Sequence, residues 1–135
     1  MTTSGSLDAN VLLRLLLSDV PHQHAAAMDL LTSGARFAVS DTALIEVNFV
    51  LGRAYGLTRD QQHEAIIGLL QQLQIVGNID VFAAAFSRYC AHPKLSFEDC
   101  YLVSRAEANG DEPLWTFDKK LASQTAAQLL ESGNA

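Results

Sequence analysis

Basic residues are scarce in this chain: nine Lys and Arg stand against fifteen Asp and Glu, for a formal net charge of −6 over 135 residues. That argues against a protein that grips nucleic acid through a broad basic face. A nuclease is not excluded, because a carboxylate site repels phosphate only until divalent cations fill it, and the cation then inverts the local electrostatics. Cysteine is scarcer still. Cys90 and Cys100 are the only two; both fall in helical patterns without metal-ligand spacing and read as reduced thiols of a cytoplasmic protein. No uncharged apolar run approaches the ~18 residues that suggest a membrane span. No charged segment followed by an apolar stretch and a cleavage site opens the sequence, so secretion is not expected. Repeats, linkers and low-complexity runs are missing as well. What remains is a globular composition, 49 % apolar and 18 % charged, with the length of one domain, 1–135, around its own core.

Short β-like pieces alternate with helical patterns along this chain. Met1 to Ser6 is polar and small, a poor strand by propensity, so any strand ending at Asp8 is short. Leu12, Leu13, Leu15, Leu16 and Leu17 then make a nearly all-round apolar helix from Ala9 to Leu17. Asp19 and Pro21 break it, and Pro21 suits the first turn of a second helix that stops near Gly34. Arg36 to Ser40 is β-like; Ser40 or Asp41 caps a third helix, Thr42 to Tyr55, ended by Gly56. Thr58 to Gln61 is a capping-box pattern that opens a fourth helix through Leu73. Gln74 to Gly77 is a one-step strand, and Ile79 to Ala91 a helix broken by His92-Pro93. Ser96 opens a helix to Asn109 that stops at Gly110. Pro113 to Phe117 is the clearest later strand, followed by a short helix, Lys119 to Ser123, and an edge strand, Ala127 to Leu130. Such alternation implies a parallel sheet covered on both faces by helices.

Asp8 sits where a first strand gives way to a helix, at the sheet edge where open α/β folds bind ligands. An ordinary N-cap explains it equally well, and the same holds for Asp118. Asp99, taken alone, is better explained as the N3 acid of a capping box begun by Ser96. Glu46 differs, because it lies in the segment Ala43 to Leu51, where Asn48 is the only other polar residue. A helix so apolar is expected to be largely buried, and an unpaired carboxylate there is strongly disfavoured. Glu46 must then meet a cation, share a proton or reach a wet cleft; Arg53 and Arg14 are the competing basic partners, and site membership is the better reading. Together Asp8, Glu46, Asp99 and Asp118 offer the hard oxygen ligands that suit Mg2+ or Mn2+, and clustered carboxylates holding such ions support phosphodiester hydrolysis. His22 and His24 resemble a metal pair, but they lie at a helix start with no Cys or third ligand in register, so a structural reading is preferred. Lys119 and Lys120 read equally as RNA-phosphate contacts and as solvated lysines.

The segments LDANVLLRLLL (Leu7 to Leu17), VSDTALIEVNFVL (Val39 to Leu51), LSFEDCYLVSRA (Leu95 to Ala106) and PLWTFDKKLA (Pro113 to Ala122) resemble, in order, the four acidic motifs of the PIN-domain ribonucleases. The likeness runs from Leu7 to Leu130 and is strongest to the VapC toxins of bacterial toxin–antitoxin pairs. What it implies is a three-layer α/β/α sandwich with a short central parallel sheet. The implied activity is that of a Mg2+- or Mn2+-dependent endoribonuclease, with RNA as substrate and a VapB-like antitoxin as partner; a homodimer is also expected. The resemblance makes Asp8, Glu46, Asp99 and Asp118 the catalytic metal ligands and gives Asn10 and Thr116 supporting roles behind them. Asp99 rather than its neighbour Glu98 aligns with the motif. Family members usually carry Thr between the first Asp and the Asn, where this chain has Ala9, which removes a hydroxyl beside the site. A catalytically weakened PIN-fold module that binds RNA or protein is therefore the alternative. An aspartyl-phosphate protein is a more distant one, because Asn10 replaces the second acid of an Asp-x-Asp pair and Glu46 is left without a role.

Overall fold

The computed structural model describes residues 2–131. Their packing divides into two compact units, Met1–Ile79 and Asp80–Ala135. The first unit carries helices α1 (Ala9–Leu16), α2 (Pro21–Leu31), α3 (Asp41–Arg53) and α4 (Arg59–Leu70), with strands β1 (Phe37–Ala38) and β2 (Ile75–Val76). The second carries α5 (Ile79–Ala91), α6 (Phe97–Asn109) and α7 (Lys119–Gln124), with strands β3 (Trp115–Thr116) and β4 (Gln128–Leu129). The fold is α/β, with short parallel strands among helices.

In the first unit, β1 pairs in parallel with β2, Phe37 opposite Ile75. The N-terminal segment runs along the other edge of β1 despite its poor strand chemistry. Ser4 N–H donates to the Arg36 carbonyl at 2.7 Å, Ala38 N–H to Gly5 at 2.9 Å and Leu7 N–H to Ala38 at 2.9 Å. Backbone pairing holds this segment, since Ser4, Gly5 and Ser6 are exposed and only Leu7 turns inward. The chain then enters α1, whose Leu12 and Leu13 are buried. Pro21 opens α2 at its first turn, as predicted, where no side chain caps the helix and the missing N–H costs nothing. Ser40 caps α3 through Ala43 N–H at 3.1 Å, and Thr58 and Gln61 close a full capping box on α4. Helix α3 presents Ala43, Leu44, Val47, Asn48 and Leu51 to the core, the i, i+1, i+4, i+5, i+8 stripe of one helical face.

The second unit is built on aromatic packing. Phe82 and Phe86 of α5 are fully buried and pack on Phe97 of α6, the first stacked and the second tilted, with ring centroids 5.9 and 4.6 Å apart. Leu95, Cys100, Val103, Leu121 and Ala127 form a second cluster that ties α6 and α7 to β4. Arg88 donates to Ser104 Oγ at 2.7 Å and pairs with Glu107, pinning α5 to α6. Gly110 ends α6 in the left-handed region, φ 72°. Strand β3 pairs in parallel with β4, so Pro113 to Phe117 and Ala127 to Leu130 are strands in part, each reduced to two residues. Cys90 and Cys100 are not disulfide-bonded.

Candidate functional site

Asp8 is the N-cap of α1, and its Oδ1 accepts from Val11 N–H at 2.9 Å. Structural and ligand roles are compatible here, because a carboxylate has a second oxygen, and Oδ2 takes no hydrogen bond from a described residue. The exposed carboxylate opens on a cleft of about 250 Å3 lined by Asp8, Ala9, Asn10, Leu13, Glu46 and Val50. Two of the four predicted acids, from elements 38 positions apart in sequence, thus share one opening, and Asn10 lies with them. A second cleft of about 380 Å3, sharing Asp8 and Asn10 with the first, is walled by Val11, Ala27 and Leu30, with Arg14 and Gln23 as further polar groups.

Glu46 reaches this cleft for a reason other than the one the sequence suggested. It is exposed, not buried, so no desolvation penalty forces it toward a cation. Apolar neighbours in sequence do not set burial; the angular position on the helix does. Glu46, Phe49 and Arg53 follow the i, i+3, i+7 stripe opposite the core, and all three are exposed. Neither expected ion pair forms, since Arg14 binds Asp19 at 2.9 Å and Glu46 has no partner among the described residues. The buried polar residue of α3 is Asn48, 1 % exposed, whose Oδ1 accepts no hydrogen bond. Its backbone carbonyl accepts from the buried Gln62 Nε2 at 2.8 Å, joining α3 to α4.

In the second unit Asp99 is half-buried at N3 of α6, whereas Glu98 is exposed. Ser96 Oγ accepts from Asp99 N–H at 3.2 Å, but the Asp99 carboxylate does not return to Ser96 N–H, so the expected capping box is half made. The carboxylate is left without a partner among the described residues. Asp118 is the N-cap of α7, with Oδ1 accepting from Leu121 N–H at 3.0 Å. Thr116 Oγ1 accepts from the Asp118 N–H at 3.0 Å, so it orders the turn that carries the acid and does not touch the carboxylate. Lys119 and Lys120 follow, both exposed.

His24 Nδ1 lies 2.6 Å from the Arg14 carbonyl and must carry the proton to donate there, in keeping with the structural reading of that histidine. One pair the sequence did not signal links the α1–α2 turn to the segment just after α3: Tyr55 O–H donates to Asp19 Oδ2 at 2.7 Å. That hydrogen bond first, and then the Arg14 charge, hold the Asp19 carboxyl below its ordinary value of 3.8. Among the described residues no three His, Cys, Asp or Glu side chains come together as a metal-binding group. The donor chemistry of the acids nonetheless fits a hard divalent cation, being all carboxylate oxygen with no thiolate or imidazole beside it.

Asp8 and Asp118 cap the helices that follow the N-terminal segment and β3 in an α/β fold with short parallel strands. The PIN domain family matches this chain over residues 6–127, through both units, and the chain belongs to that family. PIN domains are generally nucleases, usually bind divalent metals and act on RNA. No curated protein matches the chain. Among the described residues no helix is long and apolar enough to cross a membrane.

Proposed function

We propose that this chain is a Mg2+- or Mn2+-dependent endoribonuclease acting from a single PIN domain, 1–135, as the toxin of a VapBC-type pair. The observation that carries the reading is the cleft where Asp8 and Glu46 meet beside Asn10, with Glu46 unpaired among the described residues. Asp8, Glu46 and Asp99 are the residues that would hold the ion, and Asp118 completes the set or serves a second ion, in the order of the family's motifs. When bound, the ion supplies Lewis-acid stabilisation of the phosphodiester and lowers the pKa of water. The chain's own residues prepare that chemistry. Val11 N–H fixes the Asp8 carboxylate in one orientation, and Thr116 orders the turn ahead of Asp118. Asn10 adds an uncharged amide beside the two acids, able to orient a ligand or an RNA oxygen. The carboxylates repel RNA phosphate when bare, so productive RNA binding is expected to depend on the divalent cation. A short VapB-like antitoxin that blocks this cleft, a homodimer and a cytoplasmic setting complete the reading.

The test is cleavage of several RNAs by the purified chain under Mg2+ or Mn2+, with the Asp8→Asn variant beside it. Loss of cleavage in a folded variant supports the reading; cleavage at the parental rate overturns it. One observation favours a second reading, a weakened module that binds RNA or protein. Ala9 lines the cleft between Asp8 and Asn10 and offers no hydroxyl to either. Calorimetric Mn2+ binding without turnover on any RNA would favour that module.

A further inference from the structure

We propose that the β3–α7 junction binds unpaired RNA bases by stacking on Trp115 and Phe117 and holds the adjoining phosphates with Lys119 and Lys120; in taking RNA as the ligand, this rests on the nuclease reading. Trp115 is the only tryptophan in the chain, yet it is 59 % exposed, and Phe117 is 67 % exposed. Neither ring packs on another ring, and the Trp115 indole N–H donates to no described residue. Aromatics elsewhere in this unit behave differently: Phe82, Phe86 and Phe97 are buried against one another. Leaving the two largest apolar side chains of one four-residue stretch in water forfeits their burial, so the fold itself does not account for them.

The charges beside them point to the ligand. Lys94, Lys119 and Lys120 are the chain's only lysines, and two of the three follow this aromatic pair. Both lie in the first turn of α7, where a cation opposes the helix dipole and does not stabilise the helix. Neither has an acidic partner among the described residues. In a chain of net charge −6, two aromatic rings followed at once by an unpaired lysine pair form a stacking platform beside a phosphate contact, the pattern of single-strand recognition. Duplex RNA offers no such fit, since its bases are stacked on one another and its major groove is deep and narrow. The occupant is therefore unpaired RNA.

Emission from the single tryptophan makes the test direct. The full unsubstituted chain is titrated under Mg2+ with a short unstructured oligoribonucleotide made hydrolysis-resistant by phosphorothioate linkages and with a duplex of the same length. The single strand is expected to quench Trp115 saturably and the duplex to leave it unchanged. Phe117→Ala is expected to weaken binding roughly 5- to 150-fold, with Phe117→Tyr restoring it. Lys119→Gln should lower the slope of log affinity against log salt by about 0.7. Absence of quenching, or unchanged affinity in Phe117→Ala, overturns the proposal. So does a Trp115 spectrum that shifts with protein concentration alone, together with sedimentation as a larger species, because a second copy then covers the rings. If the unsubstituted chain cleaves RNA and no quenching occurs, the platform is wrong and the nuclease stands. If single strands quench Trp115 and the unsubstituted chain cleaves nothing, the platform stands and the nuclease reading falls.

Discussion

Asp8 has two duties that substitution can separate. As N-cap it accepts Val11 N–H at 2.9 Å, and as a proposed metal ligand it contributes negative charge to the cleft shared with Glu46. Asn caps a helix about as well as Asp, so Asp8→Asn keeps the hydrogen bond and removes the charge. Its cost is limited to the interaction of one exposed carboxylate with the α1 dipole, about 0.3–1 kcal/mol. Asp8→Ala removes both and should cost about 1 kcal/mol from the lost cap in addition, a fall in Tm of about 4 °C for a chain this size. Cleavage, by contrast, should be lost in both variants alike. Urea denaturation and RNA cleavage measured in parallel therefore give a two-by-two outcome: Asn stable and inactive, Ala less stable and inactive. A stable, active Asp8→Asn beside an unstable, inactive Asp8→Ala would mean that Asp8 is a cap and nothing more, and the metal-site argument would fail at its first residue.

Glu46→Gln should leave stability within about 0.5 kcal/mol of the parent, since the side chain is exposed and unpaired among the described residues, while Mn2+ affinity measured by calorimetry falls. A variant that unfolds more easily but binds Mn2+ normally would contradict this. Gly52→Ala should destabilise by about 1 kcal/mol despite better helix propensity: its Cβ would lie 2.6 Å from Gln62 Nε2 and displace the donor to the Asn48 carbonyl. Urea midpoints above the parent's would refute it. The depressed Asp19 carboxyl contributes stability above the ordinary carboxylate range, which is lost as pH falls through its lowered value. Tyr55→Phe removes the larger cause, so the variant should lose less stability than the parent on acidification below about pH 4, as followed by thermal melts; parallel pH profiles would count against it.

Helix starts were the most legible feature of this chain, because capping is local chemistry. Ser40, Thr58 and Ser96 each hold the N–H three residues on, and Pro21 opens α2. Strands were legible as positions but not as lengths: β1 to β4 are two residues each, and the polar N-terminal segment pairs with β1 through backbone groups that carry no side-chain signature. The α3 reading went astray on Glu46, because a count of apolar neighbours ignores which way each residue faces. Counting by the 3.6-residue period places Glu46 opposite Val47, Asn48 and Leu51, and would have named Asn48 as the buried polar group. The contact between Tyr55 and Asp19 spans 36 positions and depends on how α1 and α3 pack, which no local pattern records.

The ambiguity between cap and ligand at these acids has a physical source. Metal-dependent hydrolysis needs carboxylates held at the end of a strand, and the next residues usually begin a helix whose first N–H groups need an acceptor. One Asp satisfies both needs, since the helix takes Oδ1 and leaves the other oxygen for a ligand. Asp8 and Asp118 are both built this way, with Oδ1 on the N–H three residues later. Capping then acts as preorganisation: the hydrogen bond that stabilises the helix also fixes the carboxylate's orientation. It follows that finding an acid in a cap does not weaken its case as a ligand. Glu46 has no such anchor, being mid-helix, exposed and unpaired among the described residues. Under the proposed metal reading, Glu46 is the acid of this cleft whose orientation the cation would impose, and Asp8 the one already oriented by its hydrogen bond to Val11 N–H.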